Sequence, residues 1–252
     1  MHIAIVTGAS SGMGKEFVKQ LDDWKFDEIW CVARREDRLL ALQNDVNTKL
    51  RPVVLDLSQK SSIDAVRSLL ETEKPSLGLL VNCAGFAKFG KFADIRPEDS
   101  YAMVELNINA LMGLCYCALP HMPQGGRIIN IASTAAFQPL PDMNVYAASK
   151  AFVLSFSRAL GREIGDLGIS VTTVCPGWTK TEFFDVGRKN ADQNAITELP
   201  FMSKPENVVR HALKAAQKRK DLAVYGIFNK FHLFFARILP TNSIMTLWNA
   251  MR

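Results

Sequence analysis

The sequence has 252 residues, 48% of them hydrophobic and 22% charged, with a formal net charge of +5. A chain of this size makes one large domain or at most two small ones, and it buries roughly three quarters of its unfolded surface without a disulfide or metal staple. The composition excludes a disordered chain, a collagen-like repeat and an ordinary integral membrane protein. The basic excess is mild and no Lys/Arg stripe interleaves with aromatics, so no nucleic-acid partner is expected. The densest cationic run, Lys214 to Lys220, reads as a helix end, where cations suit the dipole. An anionic cofactor accounts for part of the positive charge equally well.

Strand and helix patterns alternate along the first two thirds. Apolar runs at Ile3–Val6, Ile29–Ala33, Val53–Leu57, Leu77–Cys83, Arg127–Ala132 and Ile169–Val174 read as strands, with Leu222–Tyr225 a candidate last one. Helical patterns fall at 14–23, 36–47, 63–72, 97–120, 145–166 and 208–218, the fourth and last opened by Pro97 and Pro205. The strand runs lack polar alternation, as expected when helices cover both faces. These are β-α-β units, and right-handed crossovers make them an α/β fold, a doubly wound parallel sheet of Rossmann type. Residues 1–220 are expected to form one domain, with 177–204 a loop within it, and 221–252 a last strand and apolar helical appendage of the same domain. Five cysteines, Cys31, Cys83, Cys115, Cys117 and Cys175, form no C-x-x-C pair and read as buried thiols of a reducing compartment. Met1 leads straight into a strand-like run, so a cytoplasmic location without a signal peptide is expected.

Residues Thr7-Gly8-Ala9-Ser10-Ser11-Gly12-Met13-Gly14 follow a strand pattern and open a helix pattern. Glycines there permit a tight turn and close approach to a pyrophosphate, and the helix N-terminus supplies free amides. The spacing is G-x-x-x-G-x-G rather than G-x-G-x-x-G. About twenty residues further on, a carboxylate often holds the ribose 2′-hydroxyl. Here that place holds Arg34 and Arg35, and a guanidinium suits a 2′-phosphate, so NADP(H) is expected over NAD.

Tyr146 and Lys150, four residues apart at the start of a helical pattern, share one helix face. A nearby ammonium favours the phenolate, and such a pair can pass a proton to or from a carbonyl oxygen. Ser133 follows the fifth strand, at the sheet end where open α/β folds place ligands.

With these residues in place, roughly 1–220 closely resembles the short-chain dehydrogenase/reductase family. The resemblance rests on the Thr7–Gly14 loop, on Asn82-Cys83-Ala84-Gly85 for the family's N-[N]-A-G with Cys83 in place of the second Asn, and on Ser133, Tyr146 and Lys150. It extends to Asn107, and to Pro176-Gly177 with Thr179 and Thr181. The resemblance implies a catalytic set of Asn107, Ser133, Tyr146 and Lys150, with Tyr146 as general acid in reduction and Lys150 lowering its pKa and holding the nicotinamide ribose. Ser133 would bond the substrate oxygen, and Asn107, a better fit than Asn109, would support a water linking Lys150 to solvent. It further implies a cofactor set of Gly8, Ser10, Ser11, Gly12, Met13, Gly14, Arg34, Arg35, Asp56 and Leu57 by the adenine, Asn82, Ala84, Gly85, Tyr146, Lys150, Pro176, Gly177, Thr179 and Thr181. A homodimer or homotetramer through helices near 101–120 and 145–165 is implied as well.

Phe137, Pro139, Leu140, Pro141 and Met143, with Trp178, Phe183 and Phe184, suggest a roomy apolar pocket and a small-molecule hydrophobic ketone or secondary alcohol as substrate. Gly187 and the polar run 188–194 suggest a mobile lid. In the tail, Ile227, Phe228, Phe231, Phe234, Phe235 and Ile238 recur at helical spacing, and the stretch is too short to span a bilayer. The favoured reading packs this helix on its own domain or a sister subunit; the others lay it over the substrate site or on a membrane surface. The activity expected is NADP(H)-dependent reduction of a carbonyl, with a 3-oxoacyl-thioester reductase and a non-catalytic NADP-binding regulator as rivals.

Overall fold

The computed structural model describes residues 1–189 and 202–251. Seven strands form one sheet in which every pairing is parallel: β1 (His2–Thr7), β2 (Glu28–Ala33), β3 (Lys49–Val54), β4 (Ser76–Asn82), β5 (Arg127–Ile131), β6 (Ser170–Val174) and β7 (Leu222–Ala223). Their order is β3-β2-β1-β4-β5-β6-β7. The chain runs outward from β1 to β3, then returns to β4 on the other side of β1. That reversal opens a crevice at the carboxyl ends of β1 and β4, where a doubly wound sheet binds its ligand.

The expected third strand, Val53–Leu57, is displaced. β3 is Lys49–Val54, paired with β2 from Glu28↔Lys49 to Ala33↔Val54. Lys49, Arg51 and Pro52 hid it from an apolar reading, yet an edge strand tolerates both charge and proline because one of its sides pairs with nothing. Asp56 and Leu57 therefore lie in the turn beyond the strand.

Helices α1 (Gly12–Gln20), α2 (Glu36–Leu42) and α8 (Pro205–Gln217) flank one face of the sheet, and α3 (Lys60–Glu73), α5 (Leu111–Ala118) and α6 (Asn144–Glu163) the other. α4 (Pro97–Val104) runs into α5 through a π-helical turn, Glu105–Ala110. The stretch Pro97–His121 is long and apolar enough to cross a membrane, but Leu111, Leu114, Cys115 and Ala118 pack it into the core over the sheet. α2 stops at Leu42 rather than continuing to residue 47, because a tighter turn at Gln43–Asp45 feeds directly into β3.

A third apolar cluster stands off the carboxyl end of the sheet: Phe89, Met103, Leu140, Met143, Phe184 and Trp248, with Tyr146 among them. It draws on α6, on the short helix α7 (Phe183–Arg188) and on the tail. The tail is two helices, α9 (Ile227–Ile238) and α10 (Thr241–Met251), broken where Leu239 turns extended before Pro240. The polar run expected to form a lid extends into residues 190–201, which lie outside the described residues. Gly187, read with that run as a sign of mobility, is closely packed: a Cβ there would stand 2.5 Å from the Phe89 ring, so glycine serves close approach.

Candidate active site

The loop between β1 and α1 turns on Gly8 and Gly12, at φ of +67° and +50°. Gly14 is required by packing, since a Cβ would stand 2.1 Å from the Gly8 carbonyl oxygen. Thr7 ties this loop to the next crossover: its Oγ1 accepts from the amides of Cys83 (2.9 Å) and Ala84 (3.0 Å) and donates to the Val81 carbonyl (3.3 Å). Ser11 precedes α1 without capping it, and the first turn carries no acidic residue. The helix N-terminus thus keeps its amides and its positive end for an anion, the arrangement a dinucleotide pyrophosphate fits.

The two arginines expected at the cofactor stand differently in the structure. Arg34 is 74% exposed and 3.8 Å from Asp56. Arg35 points into the site: Nε and Nη2 donate to Ser10 Oγ (3.2 and 3.1 Å), and Nη1 donates to Glu182 (2.8 Å). Arg38, one turn along α2, donates to the other oxygen of the same carboxylate. The pair holds Glu182 below the usual glutamate range, Arg35 contributing most. Neither Arg38 nor Glu182 was among the expected site residues. Asp56 accepts from the Ser58 amide (3.1 Å) and hydroxyl (2.7 Å), and Leu57 is buried in the core.

Beneath the site, Asn82 Nδ2 donates to Asn130 Oδ1 (2.8 Å), whose Nδ2 donates to Ser157 Oγ (2.9 Å). This buried chain ties β4, β5 and α6 together. Asn82 therefore acts from below, while Cys83 and Gly85 border the cavity. Asn107 sits in the π-helical turn and is fully buried, whereas Asn109 is exposed. Asn107 Oδ1 accepts from the Phe86 amide (3.1 Å), and Nδ2 donates to the Phe86 carbonyl (3.0 Å) and Ser149 Oγ (3.1 Å). A Cβ on Gly85 would stand 2.9 Å from Asn107 Oδ1 and 3.4 Å from Lys150 Nζ, so that glycine lets the two side chains face one gap. A π-turn offsets one residue from helical register, and that brings Asn107 inward here.

Ser133 follows β5 as the cap of a short turn, its Oγ accepting from the Ala135 amide (3.1 Å). Tyr146 and Lys150 share the inward face of α6, with Nζ 5.7 Å from the phenol ring centre. Lys150 donates to the Ile131 carbonyl (2.8 Å), not to the phenol. Burial pushes the Tyr146 phenol up to about 12, Ser133 beside it pulling the other way. Burial also brings Lys150 down to about 8. Burial, rather than the lysine charge, sets the direction of the Tyr146 shift in this structure. Burial likewise keeps the adjoining Cys83 and Cys175 thiols neutral, each near 12.

Above these residues is a cavity of about 280 Å³. Leu140, Met143, Trp178 and Phe183 line it, as the sequence suggested. Phe137, Pro139, Pro141 and Phe184 do not; Phe184 lies behind, 5.2 Å from Trp178 between ring centres. The tail adds Phe228, Asn229 and His232 of α9 and Trp248 of α10 to the wall. Trp248 Nε1 donates to the Pro141 carbonyl (3.0 Å), and His232 Nε2 lies 3.0 Å from Gln138 Oε1. A Cβ on Gly177 would stand 2.3 Å from Asn229 Oδ1, so Pro176-Gly177 admits α9 over the site. At the mouth, Thr179 and Ser203 pair across the base of the loop, with Ser203 N donating to Trp178 O (2.8 Å). Thr181 stands against Gly12, where a Cβ would lie 3.1 Å from its side chain.

The family model for the short chain dehydrogenases matches residues 2–192. The chain belongs to the short-chain dehydrogenase family. It is an oxidoreductase acting between CH–OH and C=O groups. Among its curated relatives, sulfoacetaldehyde reductase 2 of Chromohalobacter salexigens is 34% identical over 203 residues, 78% of this chain and 80% of that one. A short-chain dehydrogenase from Sphingobium yanoikuyae, solved in complex with NADPH, superposes with a TM-score of 0.81 at 27% identity, covering 100% of this chain and 97% of that one. The bulky-bulky ketone specific alcohol dehydrogenase of Comamonas testosteroni superposes at 0.76 with 26% identity, covering 98% and 94%. For this short-chain dehydrogenase, the uncapped α1 terminus and the cavity beside it suit a nicotinamide dinucleotide.

Proposed function

We propose that this short-chain dehydrogenase is an NADP(H)-dependent carbonyl reductase for a hydrophobic ketone, interconverting it with the secondary alcohol. The observation that carries the reading is the cavity itself: two hydroxyls, Ser133 and Tyr146, on the floor of an otherwise largely apolar chamber that adjoins the α1 terminus. The Comamonas enzyme, named for bulky ketones, and the Sphingobium complex with NADPH support it.

Ser10, Gly12, Met13 and Gly14 would hold the pyrophosphate, Arg35 and Arg38 the 2′-phosphate, and Tyr146, Lys150, Thr179 and Thr181 the nicotinamide side. Bound there, the nicotinamide supplies the hydride. Because Ser133 Oγ accepts from the Ala135 amide, its O–H remains able to donate a hydrogen bond to the substrate oxygen, without transferring its proton. Tyr146, kept protonated by burial, delivers its proton to the same oxygen as negative charge grows there. The phenolate left behind is stabilised by the Lys150 ammonium. Asn107 and Ser149 brace the opposite side of the gap beneath Gly85. The His232–Gln138 pair supplies polarity to the wall, positioned to receive a second polar group on the substrate.

The test pairs NADPH titration with turnover on a panel of bulky ketones. Tyr146→Phe lowers kcat by about 10²- to 10⁴-fold, the usual share of a general acid, while leaving NADPH affinity nearly intact, since Lys150, Thr179 and Thr181 still hold the nicotinamide side. Near-normal turnover in that variant removes Tyr146 from the mechanism.

A further inference from the structure

The tail helix α9 carries an amphipathic pattern turned inside out. Among the described residues, Ile227, Phe228, Phe231, Phe234, Phe235 and Ile238 are each 48–66% exposed, and only Leu233 of this helix is buried. At about 100° per residue, the six occupy an arc of about 120°. His232, Ala236, Asn229 and Leu233 fill the opposite arc, toward the protein. Lys230 and Arg237 lie together along one border of the apolar arc, both exposed. Leu239, at the end of α9, and Leu247 on α10 are exposed as well.

We propose that this face is a docking surface for an anionic lipid bilayer, into whose interface α9 sinks its phenylalanines. Charge selects that occupant. From Leu222 to Arg252 the sequence has no Asp or Glu and three cations, Lys230, Arg237 and Arg252. A helix lying in the headgroup plane, with phenylalanines in the acyl boundary and cations at its flank, has this composition. A second copy fits it less well. A twofold contact places the same patch on both sides, setting Lys230 and Arg237 against their own copies with no carboxylate on the helix to pair them. The position of the cavity fits the lipid. Phe228 belongs to both the exposed arc and the cavity wall, so the cavity rim borders the docking face. An apolar ketone concentrated in the bilayer, which rests on the function proposed above, would reach Tyr146 from that side.

The experiment is flotation of the full chain with phosphatidylcholine vesicles, with and without phosphatidylglycerol, over a salt series. Binding is expected to rise with phosphatidylglycerol and to weaken with salt. The double variant Phe234→Ser/Ile238→Ser is expected to lower vesicle partitioning by at least about tenfold, given the apolar area removed. Lys230→Glu is expected to abolish the dependence on phosphatidylglycerol. NADPH binding, read in parallel, should be unchanged in both variants, which shows that they are folded and separates this test from that of the reaction. Failure to bind anionic vesicles overturns the proposal, as does binding that the double variant leaves intact. A concentration-dependent dimer that the double variant dissociates, without vesicle binding, assigns the face to a second copy instead.

Discussion

Removing the Arg35 guanidinium should collapse the preference for NADPH, and removing Arg34 should not. Arg35 is anchored on Ser10, at the phosphate loop, and reaches Glu182, whereas Arg34 is directed outward toward Asp56. A charge-assisted hydrogen bond to phosphate contributes about 1.5–3 kcal/mol. The Arg35 side chain is 39% exposed, which places its share at the low end, about 1.5 kcal/mol or a tenfold change in affinity. Arg35→Ala is therefore expected to weaken NADPH about tenfold with little effect on NADH, and Arg34→Ala to change either by less than about threefold. Glu182 sharpens the case. Its carboxylate holds the same two guanidiniums that a 2′-phosphate would engage, so phosphate and carboxylate compete for them. Glu182→Gln should tighten NADPH and leave NADH nearly unchanged. Both affinities can be read from nicotinamide fluorescence at fixed, stated ionic strength, since the effect is electrostatic. Arg34→Ala costing more NADPH affinity than Arg35→Ala, or Glu182→Gln weakening NADPH, would refute the assignment.

Two further outcomes follow from the site. Ketone reduction should hold steady below pH 8 and fall above it in a kcat profile. Lys150, depressed to about 8, loses its charge there and no longer steadies the phenolate, while Tyr146, raised to about 12, stays protonated throughout; a flat profile from pH 7 to 10 would deny Lys150 that role. Gly14→Ala forces a Cβ to 2.1 Å from the Gly8 carbonyl, where only backbone can yield. It should cost about 1–3 kcal/mol of stability, seen as a lower Tm, and abolish detectable cofactor binding; retention of both would mean that the turn is looser than the structure has it.

The alternation of apolar runs and helical patterns was sufficient to read a doubly wound parallel sheet, because buried strands and amphipathic helices carry their periodicity locally. The glycine loop, Ser133, Tyr146 and Lys150 were legible for the same reason: their spacing along the chain is a consequence of the turns and helix faces that hold them. β3 was misplaced because its pattern, with Lys49, Arg51 and Pro52, is that of an edge, and edge status is a property of the whole sheet. The distinction between Arg34 and Arg35 also escaped the sequence, since it depends on Glu182, 147 residues away.

The tail shows the same division. Its helical period, its aromatic content and its lack of carboxylates are in the sequence; which side faces the protein is not, since the more apolar arc of α9 is the one left exposed and the arc with Asn229 and His232 is the one turned inward. Tertiary packing settled it through Gly177, which has no side chain to hold Asn229 away, and through Pro240, which turns α10 back so that Trp248 reaches the Pro141 carbonyl. Local chemistry thus determined the sheet, the glycine loop and the positions of Ser133, Tyr146 and Lys150. Desolvation and long-range contacts, which no local pattern encodes, decided the protonation of Tyr146 and Lys150, the partners of Arg35, and the face of α9 that the fold leaves to solvent.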